Sequence, residues 1–249
     1  MQNERELTSV CEIEADEVRI TIAGREGYYM TKRVLDCAAA LLLLTLLSPL
    51  LVLIAAAIYL YSPGPIFFQQ ERVGSRRMRV GNQTYWKRET FTCYKFRTMK
   101  QNADASIHER YVKALIQNDE QGMTEAQGQE TSVRKLVNDP RIIRPGKWVR
   151  KLSLDELPQL WNVLRGDMSL IGPRPAIPYE VQYYKPWHMQ RLHAQPGLSG
   201  LQQVKARCIK DFDEQVKFDI EYIENQSLWL DLKIALQTPL AILFARGAL

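Results

Sequence analysis

Two adjacent carboxylates, Asp155 and Glu156, are the residues of this sequence best placed to do chemistry, because arginines lie on both sides of them. Arg150 comes just before the pair, and Arg174 follows it in a Gly-Pro-Arg-Pro turn. A helix that begins near Asp155 would add free N–H groups and the positive end of its dipole, and both favour a bound anion. This combination indicates phosphate chemistry.

The same residues also have a purely structural interpretation. Ser153 and Glu156 match a capping box, in which case Asp155 would only favour the helix dipole. Pro158 argues against a helix that starts at Ser153, because its missing N–H would matter just beyond the first turn. On the carboxylate pair alone capping is the commoner explanation, and both interpretations stay open.

The element that must position the pair is a predicted helix over Leu157–Arg165. Its residues Leu157, Leu160, Trp161 and Leu164 share one face, as in a helix packed against a core. Gly166 follows as the predicted C-cap.

A basic stretch between residues 63 and 100 is the second candidate for anion binding. It contains two short β-prone runs, Ile66–Gln70 and Thr90–Phe96, which predict a hairpin with a basic loop between them. Lys95 and Arg97 alternate with large apolar residues at the end of this stretch. Either they help to bind phosphate groups, or they are solvated charges of an edge strand.

A long apolar run from Cys37 to Tyr61, about 25 residues, is long enough to cross a bilayer. Positive charge precedes and follows it, so charge does not choose an orientation. Ser48 and Pro49 interrupt the run at its middle, where proline removes a helix hydrogen bond and serine can bond to freed carbonyls. We therefore predict a re-entrant helical hairpin that enters one leaflet and returns.

Length and composition indicate a folded chain with a sizeable core: 249 residues, 46% of them hydrophobic, with a formal net charge of +5. Four widely spaced cysteines and three histidines predict neither a zinc site nor a disulfide framework. We predict an α+β, mainly helical monotopic membrane protein. Its parts are a polar extension at 1–30, a re-entrant helix at 31–62 and a catalytic domain at 63–249.

The remaining segments are less specific. Tyr179–His193 has the pattern of an amphipathic helix, and Leu228–Leu249 is apolar enough to lie in a membrane interface. Asn118–Thr131 is rich in Gln, Gly and Glu, which suggests an excursion or lid.

These motifs, taken in order, resemble those of the bacterial sugar transferases, the monotopic phosphoglycosyl transferases that begin lipid-linked glycan assembly. The similarity covers approximately residues 31–249. It rests on KRVLD at 32–36, Ser48-Pro49, YKFRTM at 94–99, RKLSLDELPQLWNVLRGDMSLIGPRP at 150–175, PGLSG at 196–200 and a late D-x-x-Y at Asp219–Tyr222.

The resemblance implies transfer of a sugar-1-phosphate from a UDP-sugar to polyprenyl (undecaprenyl) phosphate, with release of UMP, at the cytoplasmic face of the bacterial inner membrane. It implies Asp155 as nucleophile of a covalent phosphosugar intermediate, with Mg²⁺ held by Asp155 and Glu156. It further implies substrate contacts by a set of basic and polar residues: Lys95, Arg97, Arg150, Arg174, Arg207, Asp219 and Tyr222. The product would enter exopolysaccharide, capsule, O-antigen or glycoprotein assembly.

Three departures from the family pattern and two alternatives accompany this expectation. After PGLSG the chain reads LQQVKAR, which differs from the usual run and puts the backbone around Arg207 in doubt. The basic hairpin loop at 74–90 is long, and residues 1–30 lie outside the resemblance. The carboxylates could instead only hold metal for a direct displacement, or the chain could be a basic membrane scaffold or nucleic-acid binder. The clustered carboxylates argue against a nucleic-acid partner. The sequence is compatible with a homodimer, and it does not identify the sugar.

Overall fold

The computed structural model describes residues 25–80, 83–100, 106–127, 141–205 and 211–243. These residues are mainly helical, with one antiparallel hairpin and one very short parallel pair of strands. The predicted mainly helical α+β class is confirmed. The predicted division at residues 30 and 62 stays a prediction, although a helix already begins at Glu26.

The apolar run forms two helices, α1 (Glu26–Leu46) and α2 (Ser48–Tyr61), bent by 61° at the Ser48-Pro49 break. Pro49 has no N–H for the carbonyl of Thr45, one turn earlier. Ser48 Oγ donates to that carbonyl instead, at 2.8 Å. In the part of the chain that the structure describes, no single helix is long and apolar enough to cross a membrane; only the bent pair meets that criterion, on length and composition.

The hairpin consists of β1 (Phe67–Val80) and β2 (Gln83–Phe96), with Phe67 opposite Phe96 and Val80 opposite Gln83. It is much longer than the two predicted runs, and the predicted basic loop is mostly strand. Charge misled the prediction because the ladder is built from backbone hydrogen bonds, which basic side chains on either face do not prevent. Val73 and Trp86 on one face of the hairpin and Cys93 on the other are buried.

Helices α3 (Ser106–Ile116) and α4 (Glu120–Gln127) follow the hairpin. Val112 and Leu115 of α3 pack with Phe212 and Val216 in one core cluster. The predicted Asn118–Thr131 excursion therefore includes a helix, and its last four residues lie outside the described ranges.

The carboxylate stretch is built from α5 (Arg144–Lys151), a first 3₁₀ turn (Leu154–Glu156) and α6 (Gln159–Arg165). The α-helix thus begins two residues later than predicted. Gly166 has φ +89° and its N–H reaches the carbonyls of Asn162 and Val163, so the predicted C-cap is confirmed.

Two three-residue strands, β3 (Ser169–Ile171) and β4 (Gly197–Ser199), pair in parallel. The sequence did not indicate this pair, because each strand is too short to show a period. Gly172 lies where they meet, and a Cβ there would come within 2.4 Å of the Gln195 carbonyl. The Gly-Pro-Arg-Pro turn and the PGLSG segment are thereby held against each other.

The C-terminal part contains α7 (Pro178–Val181), a second 3₁₀ turn (Pro186–Leu192), α8 (Leu201–Lys205), α9 (Phe212–Glu224) and α10 (Leu228–Leu243). The single helix predicted over Tyr179–His193 was wrong. Lys185 precedes Pro186 and is extended, with ψ 155°, as the proline ring demands of the residue before it.

Candidate functional site

Glu156 lies at the centre of a charge cluster that joins the carboxylate turn to the hairpin. Its Oε1 is 2.8 Å from Lys95 Nζ on β2 and 3.9 Å from a terminal guanidinium nitrogen of Arg174. The three residues border a small cleft of about 10 Å³, the size of roughly one water. The cleft is also lined by Arg72, Cys93, Gln159, Pro175, Gly197, Leu198 and Gln203.

The first 3₁₀ turn presents the two carboxylates through a backbone reversal at Ser153. Ser153 has φ +55° and its side chain makes no capping hydrogen bond. The capping box is therefore not formed, and the Glu156 carboxylate pairs with Lys95 instead. Asp155, the preceding residue of the turn, is half-buried.

The backbone of Arg174 is held by hydrogen bonds, while its side chain lies beside Glu156 with about half of its surface exposed. Three consecutive carbonyls accept hydrogen bonds from elsewhere in the chain: Arg174 from Arg191 (3.4 Å), Pro175 from Arg72 (2.9 Å) and Ala176 from the N–H of Val73 (2.8 Å). The turn is thus fixed while the Arg174 guanidinium stays open to an anion.

Asp219, predicted to contact substrate, lies in the core beside Arg191. Its Oδ2 is 2.6 Å from a guanidinium nitrogen of Arg191, and both residues are buried. Arg191 also lies over the rings of Tyr184 and Phe212. Asp219 does not line the cleft at Glu156, and its role in binding substrate stays a prediction.

Tyr222, the other half of the late D-x-x-Y, is also buried. Its hydroxyl lies 3.0 Å from the Ile171 carbonyl and 2.7 Å from Asp231 Oδ1. Asp231 in addition accepts from Lys32 and Tyr28 of α1. Helix α1 is therefore tied to α9 and α10 through one buried carboxylate, a contact that the sequence analysis missed.

The three other predicted arginines have different surroundings. Arg97 is buried and donates to the carbonyl of Ser62, just beyond α2. Arg150 is half-buried in the last turn of α5 and does not line the cleft, and Arg207 lies outside the described residues. The substrate contacts predicted for them remain untested.

Two cleft residues that the sequence analysis did not single out are Arg72 and Cys93. Burial lowers the pKa of Arg72 and raises the pKa of the Cys93 thiol, so that thiol stays protonated near neutral pH. Nothing in the sequence distinguishes Arg72 from its basic neighbours. Only its buried position on the hairpin does so.

Asp155 and Glu156, the predicted Mg²⁺ ligands, are neighbours on the first 3₁₀ turn. No group of three or more His, Cys, Asp or Glu side chains in the described ranges is arranged to hold an ion. Mg²⁺ commonly takes one or two carboxylates and fills its remaining positions with substrate phosphates and water. The two carboxylates fit that pattern if a phosphorylated ligand completes it.

Comparison with known proteins agrees with the motifs. Residues 27–245 match the family model described as bacterial sugar transferase. The exopolysaccharide production protein ExoY of Rhizobium meliloti is 37% identical over 219 residues, 88% of each chain. The UDP-glucose:undecaprenyl-phosphate glucose-1-phosphate transferase of Caulobacter vibrioides is 40% identical over 227 residues, 88% of this chain and 72% of that protein.

Some relatives are much longer. The undecaprenyl-phosphate galactose phosphotransferase of Salmonella typhimurium is 37% identical over 236 residues, which are 93% of this chain but 44% of the relative.

Proposed function

The chain belongs to the bacterial sugar transferase family, and from this premise we propose that it transfers a sugar-1-phosphate from a UDP-sugar to undecaprenyl phosphate. It is an enzyme of the phosphoglycosyl transferase class, like relatives named for that transfer. The reaction would start assembly of a lipid-linked glycan, and the ExoY-named relatives make exopolysaccharide the first glycan to examine.

The observation that carries the proposal is the cluster of Glu156, Lys95 and Arg174 next to Asp155. Attack of a carboxylate on a diphosphate brings anions together, so the site needs fixed positive charge at the phosphate. Lys95 and Arg174 supply it from two elements that the core holds in place.

In the proposed first step, a carboxylate oxygen of Asp155 attacks the β-phosphorus of the donor. The bond between that phosphorus and the bridging oxygen breaks, and UMP leaves with the electron pair. The sugar phosphate is then bound to Asp155 as an acyl phosphate. Arg174 and Lys95 would lower the energy of the charge that develops on the phosphoryl oxygens.

In the second step, a phosphate oxygen of undecaprenyl phosphate attacks the same phosphorus. The acyl phosphate bond breaks, Asp155 regains its free carboxylate, and the product is a lipid diphosphate sugar. The alternative is direct attack by the lipid phosphate on the donor, which forms no bond to Asp155. A Mg²⁺ ion held by Asp155 and Glu156 would supply additional neutralisation of the diphosphate.

The apolar surface of the molecule suits a site that must meet a lipid. Helices α1 and α2 expose large apolar side chains, including Leu42, Leu46, Leu53 and Leu60, and α10 exposes Trp229 and Leu236. Apolar faces of this kind bind to bilayers. We propose that the bent pair enters the cytoplasmic leaflet of the inner membrane and returns, so that the carboxylate turn lies near the lipid phosphates.

The test is UMP release from a panel of UDP-sugars, with undecaprenyl phosphate and Mg²⁺, by the native protein and by Asp155→Asn. We expect release with at least one sugar and loss of that release in the variant. Denaturing the native enzyme after incubation with donor alone should leave the sugar phosphate attached to Asp155.

Three outcomes separate the alternatives. Full activity in Asp155→Asn would remove Asp155 from the reaction. Activity that needs Asp155 but gives no adduct would favour the direct displacement. No UMP from any UDP-sugar would contradict the proposed reaction as a whole.

A further inference from the structure

A second recess, about 60 Å³ in volume, adjoins the turn that carries Arg174. Of its lining residues, it shares only Arg174 and Pro175 with the cleft at Glu156. Because one water needs roughly 10–15 Å³ in this measure, the recess has room for more than one water. Its other walls are Val112, Leu115, Glu180, Arg191, Gln202, Phe212 and Gln215.

Two lining residues have buried polar atoms that lack a hydrogen-bond partner among the described residues, namely Arg191 Nε and Gln202 Oε1. The side chains themselves are fixed, with only 5% of Arg191 and 4% of Gln202 exposed. An unpaired buried polar atom destabilises the fold, so two at one recess call for an explanation. A ligand that pairs with both would provide one.

The neighbouring contacts fix which kind of atom each residue offers. The terminal nitrogens of Arg191 are used by Asp219 at 2.6 Å and by the Tyr184 hydroxyl at 2.9 Å, which leaves Nε as a donor. Gln202 Nε2 donates to Gln215 Oε1 at 3.4 Å, which leaves the Gln202 oxygen as an acceptor. Among its buried atoms the recess therefore offers one unpaired donor and one unpaired acceptor, beside the charged side chains of Arg174 and Glu180.

The remaining surface of the recess restricts the chemistry of the ligand. Val112, Leu115, Pro175 and Phe212 are apolar and can cover the faces of a flat ring, while polar side chains border the rest of the recess. A flat heterocycle with a carbonyl and an N–H on one edge would bury its faces and pair its edge. Uracil, the base of the proposed donor, has such an edge.

The geometry of phosphoryl transfer gives the direction in which the base must lie. The attacking and leaving oxygens are roughly in line on opposite sides of the phosphorus. If Asp155 attacks the β-phosphorus, the UMP part of the donor points away from Asp155. The second recess is reached from the Glu156 cleft across their shared wall, Arg174 and Pro175.

We propose that this recess binds the uracil base of the donor, with Gln202 accepting the N3–H of the ring and Arg191 Nε donating to a ring carbonyl. The assignment rests on the proposed function, since it takes a uridine nucleotide as substrate. It gives Gln202 and Arg191 a part in selecting the nucleotide, separate from the charge cluster at Glu156.

The test compares equilibrium binding of UMP, 3-methyl-UMP and ribose 5-phosphate to the full-length protein in detergent, by calorimetry. 3-Methyl-UMP lacks the N3–H, and ribose 5-phosphate lacks the base. We expect UMP to bind about tenfold more tightly than either, as one well-formed buried hydrogen bond allows. This comparison needs no variant, so it stays decisive if a substitution prevents folding.

The variant Gln202→Leu should reduce the affinity for UMP to that for 3-methyl-UMP and leave ribose 5-phosphate binding unchanged. Gln190→Leu, at an exposed glutamine of the second 3₁₀ turn, is the matched control and should change neither affinity. Equal affinity of the native protein for UMP and ribose 5-phosphate would overturn the proposal. An equal loss of affinity for UMP and for ribose 5-phosphate in Gln202→Leu would overturn it as well.

The same preparations also separate this proposal from the proposed function. If the native protein releases UMP from a UDP-sugar but binds UMP no more tightly than ribose 5-phosphate, only the uracil site is overturned. Native protein that neither releases nor binds UMP would overturn both. A Gln202→Leu defect confined to N-acetylated donors would place the sugar in the recess and overturn the uracil assignment.

Discussion

At the scale of single residues, Lys95 decides what the Glu156 carboxylate can do. The 2.8 Å ion pair is largely shielded, with 17% of the Lys95 side chain and 26% of the Glu156 side chain exposed. Partial burial strengthens the attraction relative to a surface pair. Removal of Lys95 should therefore affect both the position of Glu156 and the charge offered to phosphate.

We expect Lys95→Gln to reduce the rate of UMP release about 10²–10³-fold, the usual effect of losing one positioned group that stabilises transition-state charge. Lys87→Gln is the control, because Lys87 is exposed on the same strand. The measurement is a single-turnover assay with saturating donor. A reduction below about threefold would show that the pair only supports the fold.

Asp219 and Arg191 form a buried ion pair, and its loss should lower the free energy of unfolding. Asp219→Ala would leave the Arg191 guanidinium buried without its carboxylate, at a cost of about 3–5 kcal/mol in the free energy of unfolding. Glu221 lies on the same helix as Asp219 and forms an exposed ion pair with Lys205, so Glu221→Ala should cost less than about 1 kcal/mol. Urea unfolding in detergent measures both. Unchanged stability with a raised KM for Asp219→Ala would instead favour direct contact with substrate.

At the scale of elements, the two arms of the bent helix pair flank the carboxylate turn. Helix α1 packs on α6 through Ala40, Leu160 and Val163, and α2 packs on α5 through Ile54 and Val149. The first 3₁₀ turn connects α5 to α6. A change in the bend should therefore move both the membrane contact and the support of the turn.

Pro49→Ala tests this, because it restores an N–H for the Thr45 carbonyl and removes the local reason for the bend. We expect the two helices to straighten into one that crosses the bilayer. The measurement is labelling of single cysteines placed before α1 and after α2, from each side of the membrane. In the native protein both should be labelled from one side, and in the variant from opposite sides.

Val52→Ala, at an exposed position of α2, is the control and should leave the labelling pattern unchanged. Labelling of the native protein from opposite sides would contradict the re-entrant arrangement.

At the scale of the whole molecule, the buried His188 and the half-buried His193 make stability depend on pH. His188 Nδ1 accepts the N–H of Lys185 at 3.2 Å, so Nε2 carries the proton that is shared with Asp213 at 2.9 Å. Burial lowers the pKa of His188 below 6.5, against the opposing effect of Asp213. Burial and Arg88 lower the pKa of His193 as well.

A histidine with a lowered pKa binds fewer protons in the folded state than in the unfolded state at intermediate pH. Its contribution is complete above about pH 6.5 and is lost as the pH falls below that value. We therefore expect the thermal midpoint to be lower at pH 5.5 than at pH 7.5. His188→Gln should weaken this dependence, and an unchanged midpoint in the native protein would contradict neutral buried histidines.

Features that depend on local chemistry could be predicted from the sequence alone. A proline and a serine within an apolar run specify the break between α1 and α2, and Gly166 specifies the end of α6, because each acts on the backbone of its own segment. The mainly helical class and the family also follow from the order of the motifs. For the same reason the adjacency of Asp155 and Glu156 could be read directly.

Contacts between residues far apart in the chain, by contrast, emerge only from the fold. Glu156 pairs with Lys95, and Asp219 with Arg191, through contacts between elements that no local pattern encodes. The length of the hairpin and the β3–β4 pair likewise depend on backbone hydrogen bonds to partners far along the chain, which side-chain polarity does not report. Burial, too, is a property of the folded chain, and it separates Lys32, Arg72, Arg97 and Arg191 from the exposed basic residues.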